Sequence, residues 1–138
     1  MKNFIATLIF WLLCLVTLSQ TVRYEDRYGD PAAFVDGELL RQKDQYGIIM
    51  FYFDGEYIRY DKYEPTIYYF DGEKIRYKDR YGEVKFVFEG NEIKYKDRFQ
   101  PTVYYLDGNI LRYKDKYGDP IYYFEGPPLK WVIVALLN

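Results

Sequence analysis

The chain repeats one 18-residue pattern six times, Arg-Tyr-Lys-Asp-x-Tyr-Gly, a short gap and then Tyr-Tyr-Phe-Asp-Gly-x-x-Ile, and this period constrains the fold more than any single residue does. Its markers are Asp36-Gly37, Asp54-Gly55, Asp71-Gly72, Glu89-Gly90, Asp107-Gly108 and Glu125-Gly126, spaced by 18, 17, 18, 18 and 18 residues. The units run from Arg23, Arg41, Arg59, Arg76, Lys94 and Arg112, the last ending at Leu129. The third unit is one residue short. The loss falls at Asp61-Lys62-Tyr63, a stretch that reads as loop, where changes of length are tolerated.

Each unit holds two short strand-like runs between turn signals, which predicts an all-β fold of about twelve antiparallel strands. A 22% aromatic share, mostly tyrosine, suits the pleat of a sheet, and 49% hydrophobic residues argue against disorder. The Asp-Gly dipeptides predict two-residue type I′ turns, with positive φ at both residues. The other turn, Lys-Asp-x-Tyr-Gly-x-Pro in its fullest form, is longer, and Glu64-Pro65 and Gln100-Pro101 replace its glycine in units three and five.

Alternation along the first strands predicts a core face of Val35/Ala33, Phe53/Phe51, Phe70/Tyr68, Phe88/Phe86, Leu106/Tyr104 and Phe124/Tyr122. The opposite face carries Phe34, Tyr52, Tyr69, Val87, Tyr105 and Tyr123, interrupted by Lys85. On the second strands Leu40, Ile58, Ile75, Ile93, Leu111 and Leu129 point one way, and Arg41, Arg59, Arg76, Lys94, Arg112 and Lys130 the other. A lone hairpin is marginal and an open edge is a liability, so six hairpins are expected to close around a central axis. Val22-Arg23-Tyr24 and Leu129-Lys130-Trp131 read as versions of the same strand, and the apolar run after them as a plug for a core or interface.

Residues 1–20 read as a separate segment. Met1-Lys2-Asn3, an apolar run from Phe4 to Leu18 and then Ser19-Gln20 follow the pattern of a secretory signal, with Thr17 and Ser19 as the small residues before cleavage. The run is shorter than the ~20 residues of a membrane span. Export is therefore expected, to the periplasm, cell surface or medium, with an anchor over residues 4–19 as the alternative. Cys14 follows Leu13, where a lipoprotein signal wants a small residue, and reads as inert. Cleavage after Ser19 leaves no cysteine and so no disulfide. The expected organisation is a head over 1–20, a six-repeat domain over 22–131 and a hydrophobic tail over 132–138.

There is no histidine, and Ser19 and Cys14 are the lone serine and cysteine, which removes hydrolase triads, thiol catalysis and zinc from the repeat domain. The prominent acids recur at every turn, as a catalytic pair would not, and one or two acids beside a base make a poor calcium loop. The expectation is a non-enzyme without metal or cofactor. A formal charge of −2 gives no field for phosphate polymers, so nucleic acid is not an expected partner.

Two recurring rows remain as candidates. Closure would bring Arg23, Arg41, Arg59, Arg76, Lys94, Arg112 and Lys130 to equivalent positions around one axis, able to hold phosphate or carboxylate head groups. Alternatively they solubilise an outer face and pair with Asp79, Asp97 or Asp115. Tyr52, Tyr69, Tyr105 and Tyr123 either stack on sugar rings or pack across strands.

Tyr117–Gly126, Tyr-Gly-Asp-Pro-Ile-Tyr-Tyr-Phe-Glu-Gly, and Lys74–Gly82, Lys-Ile-Arg-Tyr-Lys-Asp-Arg-Tyr-Gly, resemble bacterial β-flower domains, a likeness covering roughly residues 22–131. It implies a fold, short hairpins about a central axis, related in architecture to tubby-like and scramblase-like barrels that enclose a hydrophobic helix. That helix would have to come from the N-terminal run or the tail. A weaker resemblance, to choline-binding and glucan-binding cell-wall repeats, rests on Tyr-Tyr-Phe-Asp-Gly at Tyr68–Gly72. It implies ligand seams, which tyrosine would have to build here because Trp11 and Trp131 are the two tryptophans. The function expected is binding or scaffolding at the cell envelope, with a cell-wall glycan or an anionic membrane lipid as partner.

Overall fold

Alternating apolar residues between regularly spaced glycine turns form twelve strands in the computed structural model, which describes residues 19–137. These are β1 (Ser19–Tyr24), β2 (Pro31–Asp36), β3 (Leu39–Gln42), β4 (Ile49–Phe53), β5 (Tyr57–Arg59) and β6 (Thr66–Phe70), then β7 (Lys74–Tyr77), β8 (Val84–Glu89), β9 (Glu92–Tyr95), β10 (Thr102–Asp107), β11 (Ile110–Tyr113) and β12 (Pro120–Phe124). Each pairs antiparallel with the next, and β12 pairs with β1, so the sheet closes into a barrel as expected. The signal or anchor assigned to residues 1–20 falls, up to residue 18, outside the described residues.

Closure uses a split hairpin. After the sixth turn the chain reads Gly126-Pro127-Pro128, and proline has no N–H to give to a ladder. β1 supplies the missing strand, with Val22 opposite Phe124, Arg23 opposite Tyr123 and Tyr24 opposite Tyr122. The Glu125 N–H donates to the Thr21 carbonyl at 3.1 Å, and the Gln20 side chain accepts from Gly126 N–H and donates to the Pro127 carbonyl. The expectation that Leu129-Lys130-Trp131 forms a last second strand is thus corrected: Val22-Arg23-Tyr24 holds that place in the ring.

Val22, Leu40, Ile58, Ile75, Ile93 and Leu111, one per unit, form a buried ring, and Ala33, Val35, Phe51, Tyr68, Phe86, Phe88 and Phe124 pack around it. Into this space runs α1 (Lys130–Leu136), with five consecutive residues, Trp131 to Ala135, buried. Inside a closed sheet there is no strand edge to join, so the backbone must satisfy itself, and a helix does that despite the β-branched Val132, Ile133 and Val134. Trp131 stacks on Phe53 with ring centroids 5.0 Å apart. The tail is the plug that the apolar run predicted.

The hairpin turns differ from the expected geometry. At Asp36, Glu89 and Asp107 the acid is the last strand residue, and positive φ falls on Gly37, Gly90 and Gly108, the first of the two central positions. That pattern is type II′ rather than I′. At Asp54 and Asp71 the carboxylate accepts instead from the N–H groups two and three residues on, at 2.7–3.2 Å.

A bulge at the second residue of every first strand also breaks strict alternation. It turns Met50, Ile67, Val103 and Ile121 against the core. The equivalent residue of β8 is Lys85, which therefore leaves the outer face where alternation placed it.

Candidate functional site

Arg23, Arg41, Arg59, Arg76, Lys94 and Arg112 each follow a residue of the buried ring and so face outward around the barrel wall. Lys130 does not join them: it opens α1, and its Nζ donates to the Gly72 carbonyl at 3.1 Å. Each wall cation donates to a loop carbonyl of its own unit, Arg23 to Gly29, Arg41 to Gly47, Arg76 to Gly82 and Arg112 to Gly118 at 3.1 Å, Arg59 to Glu64 at 3.2 Å and Lys94 to Arg98 at 3.1 Å. Five also hold a turn acid: Arg23 with Glu125 at 2.7 Å, Arg41 with Asp36 at 3.5 Å, Arg59 with Asp54 at 3.7 Å, Lys94 with Glu89 at 3.4 Å and Arg112 with Asp107 at 3.1 Å. These acids replace Asp79, Asp97 and Asp115 as the partners. The row braces five of the six hairpins from turn to loop, Arg23 with Glu125 across the split one, and Arg76 reaches its loop carbonyl alone.

Tyr52, Tyr69, Tyr105 and Tyr123 stand directly across from Arg59, Arg76, Arg112 and Arg23, half-buried on the same wall. The Tyr52 hydroxyl donates to the Glu38 carboxylate at 3.1 Å, and that hydrogen bond raises its pKa. The two rows predicted as separate sites are thus one girdle whose polar groups are largely engaged.

The loop end looks different. Strands that alternate in direction gather all six unit-to-unit loops at one end of the barrel. Each loop raises one aromatic almost wholly into solvent: Tyr28, Tyr46, Tyr63, Tyr81, Phe99 and Tyr117 are 80–89% exposed. Their backbones are held firmly. In every loop an aspartate, Asp26, Asp44, Asp61, Asp79, Asp97 or Asp115, accepts the aromatic's own N–H at 2.8–3.2 Å. Just before that aspartate Glu25, Lys43, Lys78, Lys96 and Lys114 adopt φ of 62–66°, and this is the residue that unit three lacks. Beside the ring, Arg27, Lys62, Arg80, Arg98 and Lys116 lie 4.7–5.9 Å from its centroid.

Sequence reasoning missed these six residues because a fixed aromatic in a turn motif reads as filler. The available signal was that a loop has no core for six large rings to fill.

Inside this rim the barrel mouth is lined by tyrosines that follow the wall cations. Tyr24, Tyr60, Tyr77, Tyr95 and Tyr113 are 44–54% exposed, each with a ring of the neighbouring strand beside it, such as Tyr60 on Phe51 at 5.6 Å and Tyr95 on Phe86 at 5.2 Å. Burial, with a hydrogen bond to Tyr95, pushes the Tyr104 phenol up to about 12, and burial also raises Tyr68 and Tyr122.

The opposite, turn end is closed by α1 and receives Ser19, paired with Asp36. Among the described residues no group of three or more His, Cys, Asp or Glu side chains is placed to hold a metal, and no helix is long and apolar enough to cross a membrane. No family model, curated protein or solved structure matches the chain.

Proposed function

We propose that the chain is a non-enzymatic, exported or envelope-tethered binding domain whose loop end takes a cell-wall glycan. The observation that carries this is the rim of six aromatics, each 80–89% exposed and each fixed by its own aspartate. Flat rings projecting from a rigid scaffold offer stacking faces for sugars at little entropic cost. Ser19, the first residue of β1, lies opposite Asp36 at the turn end, away from the rim.

Charge weighs against an anionic lipid at the same place. The loops at 25–30, 43–48, 61–65, 78–83, 96–101 and 114–119 carry eleven acids and nine bases, so this end does not attract a negative surface. The wall cations are already braced by acids and carbonyls of their own units.

The test is retention on insoluble peptidoglycan and insoluble glucan. The protein is expected in the pellet, released by competing soluble sugar, and a variant with Tyr46, Tyr81 and Tyr117 changed to Ala is expected in the supernatant. Retention on anionic vesicles, and on neither polysaccharide, would overturn the reading.

A further inference from the structure

The mouth of the barrel holds a cation that the bracing of the girdle does not explain. Of the six equivalent bulge residues, Ala32, Met50, Ile67, Val103 and Ile121 are apolar and Lys85 is charged. Lys85 Nζ donates to the Tyr68 hydroxyl at 2.8 Å and lies 4.7 Å from the Tyr68 ring, 5.3 Å from Phe86 and 5.9 Å from Tyr77. Among the described residues no ion pair reaches Lys85, whereas five of the six wall cations have one. Ring faces and a neutral phenol stabilise an ammonium without neutralising it, so its charge stays available to an incoming anion.

The Phe86 ring stands between this cation and a pocket that Lys85 does not itself line. Phe86, beside Lys85, stacks on Tyr95 at 5.2 Å and meets Tyr104 edge-on at 6.1 Å. Tyr95, Tyr104 and Tyr113 line a cavity of ≈ 540 Å³ together with Pro101, Thr102 and Val103, and the oppositely charged Lys114 and Asp115 complete its wall. That volume lies in the range of small-molecule sites, and three tyrosine rings beside apolar residues and a few polar groups are a lining of the usual kind.

We propose that this mouth binds a sugar ring bearing one anionic group, the ring against Tyr95, Tyr104 and Tyr113 and the anion on Lys85. The ring rests on the glycan reading above; the charge goes beyond it. A carboxylate and a phosphate present the same chemistry to an ammonium, and the ligands tested separate them.

Calorimetric titration of the full chain uses an oligogalacturonate, the uncharged oligogalactose of equal length, and glucose 6-phosphate against glucose. At least one charged ligand is expected to bind tenfold or more tightly than its neutral counterpart, and which one does so distinguishes carboxylate from phosphate. Lys85→Met is expected to reduce the preference below threefold, and Lys85→Arg to keep it. Raising the salt is expected to erode the preference in the unaltered protein, which needs no variant to fold. Equal binding of charged and neutral sugars, or a preference that survives both Lys85→Met and high salt, overturns the proposal. Pellet retention on insoluble glycan that Lys85→Met leaves intact, without any charged preference, leaves the rim reading standing and removes this one. Loss of the rim tyrosines with the charged preference preserved separates the two in the other direction.

Discussion

The two ends of the barrel are built from the same repeats and differ in what is done with their side chains. At the turn end, aromatics are inward: Phe53 and Trp131 stack, Phe70 and Phe88 meet edge-on, and α1 closes the opening. At the loop end, the aromatics of the rim are outward, their backbone N–H groups held by loop aspartates, and five of the six have a basic side chain beside the ring. Hydrophobic burial explains the first arrangement and not the second. A repeat that spends one large ring per unit in solvent has kept a surface, whereas one that buries its rings has made a core.

The contrast is most easily broken at the turn end. Trp131→Ala removes the helix's stacking partner for Phe53 and is expected to cost about 3–5 kcal/mol, read by urea unfolding. A loss under ~1 kcal/mol would mean that α1 does not plug the barrel.

A Cβ on Gly118, in a loop, would sit 1.6 Å from the Tyr113 carbonyl oxygen, so Gly118→Ala must move backbone and is expected to cost about 1–3 kcal/mol. Gly108, in a hairpin turn, has open space around its Cβ and a φ of +60°, and Gly108→Ala should cost about 1 kcal/mol. Reversal of that order in thermal melts would contradict the loop geometry.

The mouth phenols give a pH signature. A phenol raised to about 12 in the fold, against an unfolded value near 10, leaves stability level below pH 10 and lowers it as pH climbs through the folded value. Melting temperature is expected to hold to about pH 10 and then fall toward 12, less steeply in Tyr104→Phe. The smallest effect belongs to the girdle. Arg112→Met breaks a pair whose acid is half exposed, and should cost under about 1 kcal/mol, a difference that shrinks in added salt.

Much of the barrel was legible in the chain because each legible feature is local and repeated. Alternation put Leu40, Ile58, Ile75, Ile93 and Leu111 on one face, which the structure buries, and six hairpins with no protected edge pointed to the closed array. What escaped was of two kinds. Bulges insert one residue without any marker in a strand of β-formers, so Lys85 was placed on the wrong face. The ring's closing strand depended on reading Pro127-Pro128 as a stop for the ladder, which would have moved the closure to Val22 and left Lys130 and Trp131 for a helix. The candidate site was less legible still. The cation row is engaged by loop carbonyls and, in five units, by a turn acid, four of those acids five residues back along the hairpin and Glu125 across the split one, and the rings left in solvent belong to the loop motif.

The central claim is that the loop end faces a ligand while the turn end holds the structure together. Pellet retention on insoluble peptidoglycan and glucan, compared between the unaltered protein and the Tyr46, Tyr81 and Tyr117 to Ala variant at matched melting temperature, tests it most directly. The account predicts that the variant melts where the parent does and loses retention. Equal retention of the two proteins would contradict it.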